Sequence, residues 1–288
     1  MQIHVAKSAG FCFGVKRAID IALDTAKSSG GRTVQMLGDI VHNERVVEQI
    51  DNAGVKVIED MDHADRDGVL LVRAHGTGPS TYEDAKNRGL DVVDATCPLV
   101  TDIHEKVRDL HEQGYPIIVI GDHGHDEVRG IAAQVSDAIV VSTPDEVGKL
   151  GRRFRRVGVV CQSTQNIENV QAIIAALVPI CIDLHFVNTI CYPTTKHQAE
   201  IRTMPTENDV MIIVGSFTSA NTKRMTEISQ KLNPRTFQVT GPEDLISSWF
   251  DDAKSVGVHA GASTPDFVID EVVDAIRALT NEPTEVIG

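Results

Sequence analysis

The chain has 288 residues, 42% of them hydrophobic and 24% charged, and its formal net charge at pH 7 is −14. The length predicts two or three domains, and the acidic balance argues against a broad surface for nucleic-acid phosphates. Aromatic residues make up 4% of the chain, which is too few for a stacking surface that binds single-stranded nucleic acid. A small phosphorylated ligand stays compatible with this composition, because a local pocket can be cationic in an acidic protein.

The N-terminal residues contain neither an apolar signal core nor the composition of a transit peptide. No stretch of the sequence approaches the roughly 18 apolar residues that a membrane span requires. We therefore expect a cytoplasmic protein without a membrane-spanning segment. The five cysteines are an odd number, and a reducing compartment disfavours a disulfide framework, so they are expected to be buried thiols or ligands.

Short β-branched runs recur along the chain and are typical of strands that are buried on both faces, as in parallel sheets. These runs lie at 2–6, 33–37, 68–74, 116–121, 138–142, 157–162, 209–215 and 255–260. Helical periodicity predicts helices at 15–28, 101–113, 165–177, 221–232 and 265–280. The alternation of strands and helices predicts an α/β fold with mostly parallel sheets.

Three of the cysteines, Cys12, Cys97 and Cys191, divide the chain into parts of similar length. No linker rich in Pro, Gly or Ser separates these parts, so the domain boundaries are expected to be soft. We expect three similar α/β lobes, at 1–97, 98–191 and 192–288.

Polar side chains and glycines follow many of the predicted strands. In parallel α/β sheets, ligands bind beyond the carboxyl ends of the strands, next to helix N-termini. Imidazoles, hydroxyls and amides donate hydrogen bonds to phosphate oxygens, so the set as a whole predicts one site for a diphosphate. Each residue alone is more often structural, and Ser219 and Asn221 can also cap a helix. The set is His42, Asn43, His75, His123, His125, Glu127, Ser163, Thr164, Ser216, Ser219, Asn221 and Ser263.

Cys12, Cys97 and Cys191 each come directly before a helical pattern, where backbone N–H groups and the helix dipole favour a thiolate. Three such thiolates can hold zinc with a fourth ligand, or an iron–sulfur cluster with one open iron. The spacing alone does not choose between these metals. Cys161 and Cys181 lie within or beside apolar strands and are expected to be buried thiols.

These motifs together resemble the 4-hydroxy-3-methylbut-2-enyl diphosphate reductase family, whose members catalyse the last step of the non-mevalonate isoprenoid pathway. The matching segments run in family order over nearly the whole chain. They read GFCFGVKRA, VHN, RAHG, DATCPLV, GHDEV, QST, ICYPTT, GSFTSANTKR and AGASTPD.

The resemblance implies three α/β lobes around a central 4Fe–4S cluster that is held by Cys12, Cys97 and Cys191. One iron would lack a protein ligand and would take the allylic hydroxyl of the substrate. The reaction would convert the hydroxylated diphosphate to isopentenyl and dimethylallyl diphosphate, with electrons from a donor such as ferredoxin or flavodoxin. Implied proton-transfer residues are Glu127, Ser163 and Thr164, and implied diphosphate ligands are His42, His75, His125, Ser219, Asn221 and Ser263.

Three positions depart from the usual motifs of the family. Asp126 stands where Pro is common, and we expect its side chain to face solvent; an inward-facing carboxylate would raise the pKa of Glu127 by like-charge repulsion. Ser163 replaces Thr and keeps the hydroxyl expected to assist proton relay. Ala220 replaces Ser, so a contact through that side chain is lost while a backbone N–H contact can persist.

Other functions are compatible with parts of the pattern. A zinc hydrolase could use the three cysteines and one histidine, and it would be colourless and stable in oxygen. An iron–sulfur redox sensor would need a surface for nucleic acid or a protein partner, which the acidic balance does not favour. An inactive homologue is also conceivable, but every motif that carries an implied ligand is intact.

Overall fold

The computed structural model describes residues 1–280 and 285–287 of the chain. The strands, in chain order, are β1 (Gln2–Val5), β2 (Val34–Leu37), β3 (Val55–Ile58), β4 (Val69–Val72), β5 (Asp91–Asp94), β6 (Ile117–Ile120), β7 (Ile139–Val141), β8 (Phe154–Cys161), β9 (Cys181–Phe186), β10 (Val210–Val214), β11 (Thr236–Val239), β12 (Ser255–Ala260) and β13 (Glu285–Ile287). The helices are α1 (Phe13–Ser28), α2 (Glu44–Asn52), α3 (Pro79–Asn87), α4 (Pro98–Glu112), α5 (Asp126–Ala132), α6 (Pro144–Lys149), α7 (Ile167–Leu177), α8 (Tyr192–Glu200), α9 (Met204–Glu207), α10 (Ala220–Leu232) and α11 (Asp266–Thr280).

The described strands form three sheets, and every pairing between them is parallel. This confirms the predicted α/β fold with three small, mostly parallel sheets. The chain forms two compact units. The first consists of Met1–Val15, His42–Val46 and the described residues from Tyr192 onward, and the second of Lys16–Val41 and Val47–Cys191.

The first unit contains a five-stranded sheet in the order β11-β10-β12-β1-β13. All five residues of the central strand β10 are buried, which explains its continuous apolar sequence VMIIV. Alternate residues of this strand serve opposite faces of the sheet. Ile212 packs in the cluster that contains Val272 of α11, whereas Met211 and Ile213 pack with Met225 of α10.

The second unit contains two four-stranded sheets, in the orders β3-β2-β4-β5 and β7-β6-β8-β9. Strands β4 and β6 are buried along their whole length and read VLLV and IIVI. Helices cover both faces of β6: Ile117 packs with Val107 of α4, and Ile118 packs with Ile173 of α7. Burial on both faces is what continuous apolar runs in parallel sheets predict.

The N-terminal strand does not lie with the first third of the chain. Strand β1 pairs with β12 in the register Gln2↔Ser255 to Val5↔Val258, and with β13 on its other side. The remaining strands of the first two thirds form sheets of their own, from β2 to β5 and from β6 to β9. The lobe boundaries at residues 97 and 191 stay a prediction.

Among residues 1–280 and 285–287, no helix is both long enough and apolar enough to cross a membrane.

Candidate active site

Cys97 is the N-cap residue of α4, and Pro98 is the first residue of that helix. Pro is well tolerated there because its missing N–H has no partner in the helix anyway. The amide of Cys97 donates to the carbonyl oxygen of Ala74 at 3.0 Å, so the cysteine is fixed beside the segment that carries His75. Half-buried Cys97 therefore stands at a helix N-terminus, as the sequence predicts, and just beyond the end of β5.

Cys12 and Cys191 occupy equivalent local positions, each directly before a helix. Cys12 precedes α1, and its amide donates to the carbonyl of Ala262 at 3.0 Å within the first unit. Cys191 precedes α8, and its amide donates to the carbonyl of Ser163 at 3.0 Å within the second unit. Each cysteine is thus held by a backbone hydrogen bond to a segment that carries another predicted site residue.

The chemistry of these three cysteines fits an iron–sulfur cofactor. All three are half-buried, and none forms a disulfide, since the five cysteines lie in the described part of the chain as thiols. A helix N-terminus stabilises the thiolate that iron requires. Each of the three residues therefore lies at a helix start, where a thiolate is favoured.

The other two cysteines lie in different surroundings. Cys161 is fully buried, which confirms the prediction of a buried thiol, and burial raises the pKa of this thiol. Cys181 is only partly buried on the edge strand β9, and its sulfur donates to the carbonyl of Asp183 at 3.2 Å. The expectation that Cys181 is buried is therefore wrong, because an edge strand leaves one side uncovered.

In the second unit, His75 and His125 lie close to each other. Their ring centroids are 5.6 Å apart, with the rings nearly perpendicular. His125 is the N-cap residue of α5, and its Nδ1 accepts from the amide of Glu127 at 3.2 Å. This bond orients the imidazole ring of His125 at the start of α5.

Glu127 and Ser163 form a buried pair at the ends of two neighbouring segments. The amide of Ser163 donates to one carboxylate oxygen of Glu127 at 2.6 Å, and its hydroxyl donates to the other at 2.7 Å. The side chains are 3% and 6% exposed, so water competes little with these hydrogen bonds. The structure thus brings together two of the three predicted proton-transfer residues.

Thr164, the third of these residues, contacts a different partner. Its Oγ1 accepts from Nε2 of Gln162 at 3.0 Å, while Oε1 of Gln162 accepts from the amide of Asp122. Gln162 is fully buried and ties the segment after β8 to the segment after β6. Thr164 therefore helps to hold Gln162, which in turn fixes the segment that carries Ser163.

The prediction that Asp126 faces solvent is wrong. Its side chain is only 19% exposed and forms an ion pair with Arg73, which is 14% exposed. Sequence reasoning missed Arg73, although it stands two residues before His75 in the RAHG motif. Because the two residues are far apart in the chain, only the fold reveals that Asp126 points towards this guanidinium.

In the first unit, Ser219 and Asn221 lie at the start of α10. Ser219 is the N-cap residue, and its hydroxyl accepts from the amide of Thr222 at 3.3 Å. Asn221 is 5% exposed, and its amide group contacts the sulfur of Met225 at 3.6 Å. The predicted capping role of Ser219 is confirmed, and a hydroxyl at this helix N-terminus is placed where anions bind.

Ser263 also lies in the first unit and contacts the segment of His42. Its hydroxyl donates to the carbonyl oxygen of His42 at 3.2 Å. Gly215 directly follows β10, and its φ of +146° together with the hydroxyls of Thr222 and Thr264 excludes a side chain at this position. A Cβ at this position would lie 2.7 Å from the Thr264 hydroxyl.

The predicted site residues are divided between the two units. Cys12, His42, Ser219, Asn221 and Ser263 belong to the first unit. His75, Cys97, His125, Glu127, Ser163, Thr164 and Cys191 belong to the second unit.

A family model described as LytB protein matches residues 3–277, which is nearly the whole chain. The chain belongs to the LytB family. The match covers every predicted site residue, from Cys12 near its start to Ser263 near its end.

Curated relatives within the LytB family share more than a third of their residues with this chain. A protein from Geobacter sulfurreducens is 40% identical over 283 residues, which cover 98% of this chain and 99% of that protein. A protein from Geotalea uraniireducens is 39% identical over the same length and the same shares. Both are named 4-hydroxy-3-methylbut-2-enyl diphosphate reductase.

Two solved structures have similar folds. The reductase from Plasmodium falciparum, described as acting on E-1-hydroxy-2-methyl-but-2-enyl-4-diphosphate, has a TM-score of 0.91 and 28% identity. This similarity covers 99% of our chain and 91% of that one. A second structure, described as the terminal enzyme of the non-mevalonate pathway, has a TM-score of 0.71 and 37% identity, with 96% and 100% covered.

Proposed function

We propose that this LytB-family chain is the reductase that converts 4-hydroxy-3-methylbut-2-enyl diphosphate to isopentenyl and dimethylallyl diphosphate. The observation that carries this proposal is the match over nearly full length to relatives that bear the name of this enzyme. The buried contact between Glu127 and Ser163 supports it independently, because it supplies an oriented carboxyl group for proton transfer.

The reaction removes the allylic hydroxyl group of the substrate. The C–O bond breaks, the oxygen leaves as water, and a C–H bond forms on the allylic carbon skeleton. Two electrons and two protons balance this change, and the electrons come from an external donor. The protein must therefore bind the diphosphate, orient the hydroxyl group and deliver protons.

Enzymes of this family are iron–sulfur proteins. We propose a 4Fe–4S cluster with one iron that lacks a protein ligand, held by Cys12, Cys97 and Cys191. Their position before three helices, with amides fixed by backbone hydrogen bonds, supports this assignment. When bound, the cluster supplies electrons and a Lewis acid for the hydroxyl oxygen.

We propose that histidines and small polar residues bind the diphosphate. The contact between His75 and His125 supports a paired role for these two imidazoles. The N-cap position of Ser219 supports phosphate binding, because helix N-termini attract anions. The full proposed set is His42, His75, His125, Ser219, Asn221 and Ser263.

Glu127 is the proposed proton donor to the leaving hydroxyl group. Ser163 donates hydrogen bonds to both oxygens of the Glu127 carboxylate, which fixes the orientation of the group that would carry the proton. Thr164 is proposed to support proton transfer indirectly, because its hydrogen bond with Gln162 helps to hold the segment that carries Ser163. An oriented acid avoids the reorganisation that a mobile side chain would require.

The electron donor is proposed to be a small redox protein such as ferredoxin or flavodoxin, and the proposed compartment is the cytoplasm. We expect no nucleic-acid partner, given the net charge of −14.

The test is to purify the protein without oxygen, determine iron, sulfide and zinc, and measure turnover of the hydroxylated diphosphate with reduced methyl viologen. We expect iron and sulfide in near-equal amounts and formation of both product diphosphates. The alcohol that lacks the diphosphate group serves as a control and should react poorly. A colourless protein with stoichiometric zinc would overturn the proposal, as would an iron–sulfur protein that leaves the substrate unchanged.

A further inference from the structure

Arg73 and Asp126 form a two-pronged ion pair within the second unit. Nη1 of Arg73 donates to Oδ2 of Asp126 at 2.8 Å, and Nη2 lies 2.8 Å from Oδ1. The side chains are 14% and 19% exposed, so the pair is largely withdrawn from water. Such forked pairs fix geometry as well as charge, because both oxygens of the carboxylate are engaged.

The two partners stand next to three of the proposed site residues. Arg73 is two residues before His75, on the segment that follows β4. Asp126 lies between His125 and Glu127 and is the first residue of α5. The ion pair therefore connects the segment of one proposed diphosphate ligand to the helix start that carries another ligand and the proposed acid.

Gly38 provides the space for the guanidinium group. Its φ is +70°, and a Cβ at this position would overlap Nη1 of Arg73. An L-amino acid with a side chain is therefore disfavoured here by backbone conformation and by space. The end of β2 is thus shaped around the extended Arg73 side chain.

Helix α5 is also held at its other end against the same segment. Nε2 of Gln134 donates to the carbonyl of Thr77 at 3.1 Å. A Cβ on Gly130 would lie 3.4 Å from the backbone of Gly76, so the helix approaches this segment closely. The ion pair thus fixes the N-terminal end of a helix whose C-terminal end is already docked.

We propose that Arg73 and Asp126 are positioning residues of the reaction, which set the separation of His75 from His125 and the direction of Glu127. This inference rests on the proposed function. Neither side chain is proposed to touch the substrate. They act through the backbone on either side of the pair, because a displacement of α5 relative to the His75 segment would separate the groups that bind and protonate the substrate.

The test compares Asp126→Asn and Arg73→Lys with the wild-type holoenzyme. Asp126→Asn removes the negative charge, and Arg73→Lys keeps the positive charge but loses the planar guanidinium group that contacts both carboxylate oxygens. We expect each to raise KM roughly tenfold and to lower kcat, since displacement of a site by about 1 Å can cost a hundredfold in rate. Asp126→Glu should recover part of the loss. Arg32→Met, which removes the exposed ion pair with Asp91 in the same unit, is the matched control and should change neither parameter.

A double-mutant cycle distinguishes positioning from general stability. In a His75→Ala background, Asp126→Asn should raise KM much less than it does alone, because one of the two imidazoles whose separation the ion pair sets is already absent, whereas the fall in kcat that arises through Glu127 should persist. The inference would be overturned if Asp126→Asn raised KM by the same factor in both backgrounds, or if both ion-pair variants had normal KM and kcat.

Binding of inorganic pyrophosphate provides a readout without turnover. Titration of the holoenzyme should show weaker binding in both ion-pair variants and unchanged binding in Arg32→Met. If the wild type binds pyrophosphate but does not turn over the diphosphate substrate, the proposed function fails while the positioning role can still be measured. If both ion-pair variants bind pyrophosphate as the wild type does, the positioning role fails.

Discussion

Both carboxylate oxygens of Glu127 accept hydrogen bonds from Ser163, one from its amide at 2.6 Å and one from its hydroxyl at 2.7 Å. The hydrogen bond from the amide depends only on the backbone, so it orients the carboxyl group even when the side chain at position 163 is changed to alanine or threonine. The hydroxyl bond depends on the side chain and can take part in proton transfer. These two contributions can be separated by substitution.

Glu127→Gln should retain the cluster and bind substrate, but lose most of the turnover. The amide side chain has nearly the same shape and no transferable acid proton, so we expect kcat to fall roughly a hundredfold or more. Visible absorption reports the cluster, and steady-state kinetics report kcat and KM. A near-normal rate would remove Glu127 from the proton path.

Ser163→Ala should have a smaller effect than the change at Glu127. The substitution removes the hydroxyl donor but keeps the hydrogen bond from the backbone amide to the carboxylate, so we expect kcat to fall roughly tenfold. Ser163→Thr keeps a hydroxyl group and serves as the matched variant, with a rate close to that of the wild type. Equal rates for the Ala and Thr variants would show that the hydroxyl plays no part.

Cys97→Ser should lose or degrade the cluster when the protein is purified without oxygen. Serine keeps the helix start but replaces the soft thiolate that iron prefers. Cys181→Ser is the control, because Cys181 lies on an edge strand and bonds to the carbonyl of Asp183. We expect the control to retain wild-type iron, sulfide and absorption. An intact spectrum in Cys97→Ser would exclude this cysteine as a ligand.

The strands that the sequence predicted are mainly the interior strands of the sheets. The five strands it missed, β3, β5, β9, β11 and β13, all lie at sheet edges. A continuous apolar run indicates burial on both faces of a sheet. Edge strands are more polar, or their residues alternate between apolar and polar. Strand β5, for example, begins and ends with aspartate and has mostly exposed residues. Among the described strands, β7 is the one edge strand that the sequence predicted.

The helices divide in a similar way by length. The five helices that were predicted with bounds have 11 to 16 residues, α8 was predicted only as a helical pattern after Cys191, and the helices that the sequence missed have four to nine. Two and a half turns or fewer give too few apolar positions for a clear helical period. Helix α5 belongs to the missed group, and this is why the inward direction of Asp126 could not be inferred.

Local motifs predicted the helix-start position of Cys97 because Pro98 and the helical pattern that follows it are visible in the sequence. They could not predict which backbone carbonyl each cysteine amide contacts. The contact of Cys97 with Ala74 joins two segments that end neighbouring strands, β4 and β5. Such contacts depend on strand order, which no single motif encodes.

Burial of His104 makes stability depend on pH. Burial, with a smaller effect from Arg108, lowers the pKa of His104 from 6.5 to about 4. The folded protein therefore keeps this imidazole neutral at pH values where the unfolded chain binds a proton. Its contribution to stability is present above pH 6.5 and is lost as the pH falls towards 4.

Between pH 7.5 and 5.5, the wild type should lose about 1 kcal/mol more unfolding free energy than His104→Gln. Chemical denaturation at several pH values measures this difference, and parallel pH dependences would show that His104 is not responsible. The variant should be less stable overall at neutral pH, because the side chain packs closely against Gly76.

The most direct test is an oxygen-free experiment in which holoprotein is supplied with reduced methyl viologen at two electrons per substrate molecule, because one 4Fe–4S cluster stores a single electron while the reaction consumes two. The mixture contains one equivalent of 4-hydroxy-3-methylbut-2-enyl diphosphate, and the products are quantified by mass spectrometry. We expect isopentenyl and dimethylallyl diphosphate together in an amount equal to half the electrons consumed. Recovery of unchanged substrate from protein that contains iron and sulfide in full amounts would contradict it.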